Sequence, residues 1–258
     1  MSGIAMTLLT PVRKLSLLPA LILTACVTTT PIPTAPDAYR AATYTPPPVG
    51  ANLTLLPPQE TQYEEMREGA ELLHKQLKKQ LDAAGYKVTV LKKDDYVAQW
   101  NREAAAVGGV LQPNGQFKEA EYRQALGSLI SKSCAATHCA MLIDARLVVR
   151  PAEVVGGGVE WDGRRMLPAN PDSTGTAAER TYGISVEVSG IQPDGSLAFK
   201  NYGGTVLPPQ YSLADMQQFA NKPMVWSDAD LSAGLRIALQ PLLNTPAMQP
   251  PGQAPAVK

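Results

Sequence analysis

The sequence contains little cysteine, histidine or net charge, and each shortage excludes a class of function. Three cysteines and two histidines among 258 residues leave little material for metal clusters or for histidine-based catalysis. Lysine plus arginine balance aspartate plus glutamate at 23 each, which argues against a dedicated nucleic-acid-binding protein. Hydrophobic residues make up 45% of the chain, enough for a packed core, so a wholly disordered protein is also excluded.

Sequence motifs of common enzyme classes are missing as well. The chain has no Gly-x-Ser-x-Gly nucleophile motif, no phosphate-binding loop and no His-Glu-x-x-His. The run Gly156–Gly158 lacks the strand-to-helix setting of a dinucleotide site and is better explained as a β connection. Glu160 and Asp162 are close enough for an acid–base pair, but such pairs are common on protein surfaces. We therefore predict a protein without catalytic residues, metal or cofactor.

The N-terminus has the pattern of a secretory signal. Arg13 and Lys14 precede an apolar run at residues 15–23, and translation starts at either Met1 or Met6. As a helix, that run would rise only about 14 Å, compared with a hydrocarbon core of about 30 Å. A permanent transmembrane helix is therefore not predicted here.

The end of the apolar run, Leu23-Thr24-Ala25-Cys26, resembles the lipobox of bacterial lipoproteins. In that family the cysteine thiol carries diacylglycerol, the signal is removed before it, and the new amino group receives a fatty acid such as palmitate. The resemblance implies a signal peptide at residues 1–25 and a lipid on Cys26, and several acyl chains together anchor a protein stably. The alternative is an ordinary secretory signal that has Cys26 nearby.

The residues after Cys26 bear on location. Val27 and Thr28 follow the cysteine, and neither is the aspartate that retains lipoproteins of this family in the inner membrane. The resemblance therefore implies the outer membrane, with the protein anchored on its periplasmic side.

Proline content divides the rest of the chain. Residues 26–50 are rich in proline and threonine, and an extended polyproline chain of this length would reach roughly 70 Å. We predict a spacer there, one periplasmic domain at 51–244, and a disordered tail at 245–258, which has four prolines in 14 residues.

Periodicity within the domain predicts alternating helices and strands. Strands are expected at 51–56, 86–91, 140–155, 159–161, 182–188 and 197–206; helices are expected at 61–84, 94–107 and 117–131, with a last one capped by Ser227. This order predicts an α+β fold, an α/β sandwich in which helices pack on a mixed β-sheet.

Two groups of residues are candidate sites. Cys134 and Cys139 are the thiols left after lipidation of Cys26, and an oxidising compartment favours a disulfide between them. Two reduced thiols are the alternative, and a metal site that also used His138 would lack a fourth ligand. Aromatic residues beside glycines leave ring faces open to a partner, and this points to Trp161, Asp162, Gly163 and Tyr202 as partner-binding residues. Packing of Trp161 at a sheet edge is the alternative explanation.

The order strand, long helix, strand, Asp94-Asp95-Tyr96 and helix resembles a module of envelope lipoproteins. It is similar to the N-terminal domain of the Tol-Pal translocation protein, to curli-secretion lipoproteins and to lipoprotein activators of peptidoglycan synthases. The resemblance implies an αβ sandwich over residues 50–244 that binds an envelope protein or itself, with no catalytic residue. The alternative is a subunit of a curli-type secretion channel, in which the hairpin Tyr182–Val206 would cross the membrane.

Overall fold

The computed structural model describes residues 35–59, 66–167, 180–208 and 224–243, and these contain eight strands in one sheet and five helices. The strands are β1 (Tyr39–Arg40), β2 (Asn52–Leu55), β3 (Lys87–Val90), β4 (Met141–Val155), β5 (Gly158–Trp161), β6 (Arg164–Met166), β7 (Arg180–Ile191) and β8 (Leu197–Val206). The helices are α1 (Arg67–Ala83), α2 (Lys93–Ala106), α3 (Glu119–Thr137), α4 (Asp228–Ala238) and α5 (Gln240–Leu243). A mixed sheet with helices packed on it confirms the predicted α+β fold.

The sheet has the strand order β1-β8-β7-β4-β2-β3. β2 runs parallel to both β3 and β4, whereas β4, β7, β8 and β1 are antiparallel to their neighbours. The long strand β4 pairs with β7 from Leu142 to Glu153, and its end pairs with β5, which turns back into β6. The apolar, β-branched stretch predicted to form a long central strand does so.

Helices α1 and α4 cover one face of the sheet. Leu73, Leu77 and Leu81 recur every four residues on α1 and are fully buried, as the apolar stripe predicts. Leu231 and Leu235 of α4 join them in the same cluster with side chains of β2, β4, β7 and β8. Helix α4 begins where predicted because the Ser227 hydroxyl accepts a hydrogen bond from the Asp230 amide at 3.0 Å.

Helices α2 and α3 lie at one end of the opposite face. Ile130 and Cys134 of α3 pack with Leu56 and Leu142, and the disulfide between Cys134 and Cys139 closes the junction of α3 with β4. The predicted disulfide is therefore formed. α3 continues to Thr137, six residues past its predicted end, and no side chain caps α2 because Asp94 and Asp95 lie inside its first turn.

The N-terminal boundary of the domain differs from the prediction. Residues 35–45, which we call the strap, pack on the domain instead of forming part of a free spacer over 26–50. Its strand β1 pairs with β8, and Tyr44 is buried against Phe199. Proline disfavours a regular helix, but it leaves an irregular chain free to dock through individual side chains. The domain thus includes residues from 35 onward, not from 51.

The predicted membrane-crossing hairpin also differs from what the structure contains. Its two strands, β7 and β8, lie inside the sheet, and Ile184, Val186 and Val188 are buried in the protein core. Most apolar side chains of this hairpin are thus packed inside the protein, although Leu197 is 38% exposed, and this packing argues against a channel built from it. Among the described residues, no helix is both long and apolar enough to cross a membrane.

Several predicted features lie outside the described residues. They are the signal peptide (1–25), Cys26, the start of the first predicted helix (61–65) and the tail (245–258).

Candidate functional site

Arg150 organises a cluster of side chains on the sheet face opposite α1. Alternation along β4 puts Arg150 on that face, because Ala145 and Leu147 belong to the core under α1 and α4. The guanidinium donates from Nη1 and Nη2 to the two carboxylate oxygens of Asp37, at 2.8 and 2.5 Å. Its Nε donates to Asp162 Oδ2 at 3.0 Å. Arg150 therefore ties the strap to the β5–β6 hairpin.

The ring of Tyr202 completes the cluster from strand β8. The Arg150 guanidinium carbon lies 3.9 Å from the centre of that ring, a cation–π contact. Tyr202 is only 4% exposed, so the ring is enclosed between the guanidinium and the sheet.

Asp162 holds the hairpin against the sheet from the turn between β5 and β6. Its Oδ2 accepts a hydrogen bond from the Ser185 hydroxyl at 2.6 Å, and its backbone carbonyl accepts from the Gly204 amide at 3.1 Å. The turn has positive φ at both Asp162 (38°) and Gly163 (75°), and a glycine at the second position avoids a steric penalty. Two of the predicted residues, Asp162 and Tyr202, thus contact Arg150, and Gly163 completes the turn that carries Asp162.

Trp161, also predicted to bind a partner, lies mostly inside the protein. Its side chain is 5% exposed and packs flat on Gly183 and Gly204, where neither residue has a Cβ. The indole nitrogen donates to the Ile184 carbonyl at 3.1 Å, so the polar end of the ring is satisfied inside the protein. The rings of Trp161 and Tyr202 are both buried, which favours the packing alternative, although Trp161 is among the residues that line the cleft described below.

Electrostatics keep Asp37 and Arg150 charged over the whole physiological pH range. The hydrogen bonds and charge of Arg150 lower the pKa of Asp37 to about 2. The same hydrogen bond to Asp37 raises the pKa of Arg150 above its usual range, and burial raises the pKa of Tyr202. None of these groups is poised to exchange a proton near neutral pH, so the cluster is suited to holding structure and not to acid–base chemistry.

A cleft of about 750 Å³ lies between the start of the strap and the β5–β6 hairpin. Its rim carries charged side chains: Glu153 and Glu160 are opposite each other on β4 and β5, and Arg165 is 3.4 Å from Glu160. None of its described lining residues is a serine, cysteine, histidine or lysine. The cleft can therefore contact a polar partner through its rim, while Arg150 and Asp162 at its base are engaged with each other.

The remaining candidate residues, Cys134, Cys139, Glu160 and Asp162, are each paired with another side chain. Cys134 and Cys139 are joined to each other, so they are not ligands of a metal together with His138. Within the described parts of the chain, no three His, Cys, Asp or Glu side chains are grouped as a metal site would require. Glu160 pairs with Arg165 and Asp162 with Arg150, so the two carboxylates considered for acid–base chemistry each face an arginine.

No protein-family model and no curated protein matches this chain. Solved structures that it resembles include the PelC dodecamer from Paraburkholderia phytofirmans and a single-substitution variant of that dodecamer. The two alignments have 10% and 9% sequence identity, cover 77% of this chain and 94% and 93% of the other chains, and have a TM-score of 0.37. A likeness at this TM-score is too low to support an argument about function.

Sequence reasoning missed the two residues that assemble the cluster, Asp37 and Arg150. A signal for Arg150 was present, because an arginine within an apolar strand needs a carboxylate or a ring if it is to be buried. Asp37 carried no such signal, since it lies in a proline-rich stretch without periodicity and 113 residues away from Arg150.

Proposed function

We propose that this protein is a lipid-anchored periplasmic adaptor or assembly protein of the bacterial cell envelope, which acts by protein–protein contact and without catalysis. The anchor is a lipid on Cys26, and the location is the periplasmic side of the outer membrane. The lipobox-like sequence Leu23-Thr24-Ala25-Cys26 supports the anchor, and the fixed charges around Arg150 fit a body that binds instead of reacting.

The observation that carries the proposal is the docking of the strap. Ala35 is 7% exposed and Asp37 is paired with Arg150, so the chain is already docked on the body nine residues after Cys26. Nine residues span at most about 32 Å, even when fully extended. A lipid on Cys26 would thus keep the cleft beside Ala35 close to the membrane surface, where it can meet membrane-bound partners.

Substitution of the proposed lipid-bearing cysteine tests the anchor. We expect Cys26→Ala to abolish incorporation of labelled palmitate and to move the protein from the membrane fraction to the soluble periplasmic fraction. Cys134→Ala with Cys139→Ala is the matched control, because it removes thiols without touching the lipobox. Unchanged membrane attachment of Cys26→Ala would refute the lipid anchor.

Site-specific photo-crosslinking in intact cells tests the adaptor role. A photoreactive residue at Glu153, on the rim of the cleft, should give adducts of discrete mass. The same residue at Lys79, exposed on α1, is the control and should give none. Equal labelling from both positions would contradict a specific contact at the cleft. The mass of the purified mature protein, measured by light scattering, then separates self-association from binding of a different protein.

A further inference from the structure

The strap covers the outer edge of β8 with few backbone contacts. Tyr39 and Arg40 pair in register with Lys200 and Phe199, and the Ala41 amide donates to the Ala198 carbonyl at 2.9 Å. These contacts make the strap a short added strand. Folded proteins commonly cover an edge in this way, and partner peptides bind such edges by replacing the cover.

Two side chains fix the ends of the strap. Asp37 binds Arg150 at one end, and Tyr44 is 6% exposed at the other, with its ring 5.5 Å from that of Phe199. The residues between them are largely exposed; for example, Tyr39 is 46% exposed. Beyond the strap, the Pro47 carbonyl accepts a hydrogen bond from the Tyr86 hydroxyl at 3.1 Å, so the chain is held again just after it. Residues 35–45 therefore form a segment that can detach from β8 while the chain after it stays held at Pro47.

Tyr44 fits its site imperfectly. Its hydroxyl is buried and has no hydrogen-bond partner among the described residues, and burial raises its pKa. A buried hydroxyl without a partner is unfavourable, because it has lost its hydrogen bonds to water. A phenylalanine ring would make the same contact with Phe199 without this penalty. The strap is thus a weaker occupant of this site than a closely related peptide would be.

We propose that the strap is an exchangeable occupant of a peptide-binding edge on β8. The partner that fits is an extended segment with a carboxylate for Arg150 and, seven residues later, an apolar aromatic ring for the site beside Phe199. It adds to β8 as an antiparallel strand in place of β1. The inference rests on the proposed adaptor role and gives it a class of partner.

A labelled peptide of residues 35–46 that carries Tyr44→Phe tests this edge. The receptor is the mature chain with Asp37→Asn and Tyr44→Ala, which weaken its own strap, and the wild-type chain is the comparison. Binding is followed by fluorescence anisotropy of the peptide. We expect the peptide to bind the weakened chain at least tenfold more tightly than the wild-type chain, because the strap of the weakened chain competes less for the edge of β8. A second peptide that also carries Asp37→Asn should bind at least fivefold more weakly.

Hydrogen exchange shows whether the strap opens by itself. In the wild-type chain, the Ala41 and Tyr44 amides should exchange well before those of β7, and in the weakened chain their protection should be lost. Exchange of these amides only on global unfolding would overturn the proposal. The proposal would also be overturned if the weakened chain lost this protection and still did not bind the peptide. The strap would then only cover the edge of β8. Neither readout depends on Cys26, so failure of the lipid anchor is recognised separately.

Discussion

At the scale of the residue, one arginine determines how several distant parts of the chain meet. Arg150 lies within an apolar strand with only 15% of its side chain exposed, and a guanidinium so enclosed is tolerated only when its donors are satisfied. Asp37, Asp162 and the ring of Tyr202 satisfy it from three separate segments. Arg150 thus contributes to the position of both the strap and the β5–β6 hairpin.

The pairing of Asp37 with Arg150 should be visible in the pH dependence of stability. We expect Asp37→Asn to lower the free energy of unfolding by about 1 kcal/mol at pH 7, a reduced value because the carboxylate is about half exposed to solvent. Folding lowers the pKa of Asp37 from 3.8 to about 2, so its stabilisation is complete above pH 3.8 and is lost as the pH falls through about 2. Urea unfolding should therefore give the wild-type protein a higher free energy of unfolding than Asp37→Asn at pH 7. Near pH 2 the two values should converge. A difference independent of pH would show that charge is not the cause.

The packing of Trp161 requires glycine at positions 183 and 204, because the indole ring lies against both residues. A Cβ on Gly183 would overlap the indole ring, so Gly183→Ala should destabilise the protein by about 3 kcal/mol. The control is Gly127→Ala in helix α3, where nothing lies within 4 Å of the added Cβ and alanine favours the helix. It should be stabilising by about 0.5–1 kcal/mol. Thermal unfolding compares the two, and equal effects would mean that Trp161 does not occupy this position.

At the scale of the element, β4 connects the two covered faces of the sheet. Its first residues lie under α3, its middle carries core residues on one face and Arg150 on the other, and its end extends into the β5–β6 hairpin. The start of this strand is fixed by the disulfide between Cys134 and Cys139 and by His138, which has the left-handed φ of 51° that ends α3. The junction of α3 and β4 is thus set covalently.

Removal of the disulfide should weaken the α3–β4 junction without abolishing folding. We expect the double variant Cys134→Ala, Cys139→Ala to be less stable by about 2 kcal/mol, the entropic effect expected for a loop this small. Calorimetry with and without reductant is the measurement. The wild-type melting temperature should fall on reduction, whereas that of the double variant should not respond. A wild-type protein that also does not respond would mean that the bond is absent.

At the scale of the whole molecule, the N-terminal strap is part of the folded body. The segment brings a buried aromatic ring, a strand and an ion pair to a sheet whose other edge is β3. Residues 35–45 of the proline-rich stretch therefore belong to the folded body.

Truncation distinguishes the two domain boundaries. A chain that begins at residue 34 should be as stable as one that begins at residue 26, because it keeps the strap. A chain that begins at residue 51 should lose about 3 kcal/mol, the sum of the burial of Tyr44 and the Asp37 ion pair. Urea unfolding of both chains is the measurement. Equal stability would mean that residues 35–50 contribute nothing to the fold.

Much of the fold could be predicted because many of its elements are determined by local sequence patterns. The apolar stripe of α1, the cap of α4, the disulfide and the long strand β4 each depend on residues near one another in sequence. The short strands β1 and β6 were not predicted, since two or three residues have no measurable period. Of the site, Asp162 and Tyr202 were found from their aromatic and glycine neighbours, but their role was not, because it depends on Arg150.

The sequence by itself determined the α+β class, the positions of most elements and the pairing of Cys134 with Cys139, because each is set by short-range periodicity, capping or loop closure. Only the tertiary structure decided that the strap docks, that Trp161 faces inward and that β7 and β8 lie in the middle of the sheet. Those outcomes depend on contacts such as Asp37 with Arg150, which are distant in sequence. Burial and charge pairing select such contacts only once the whole chain is packed.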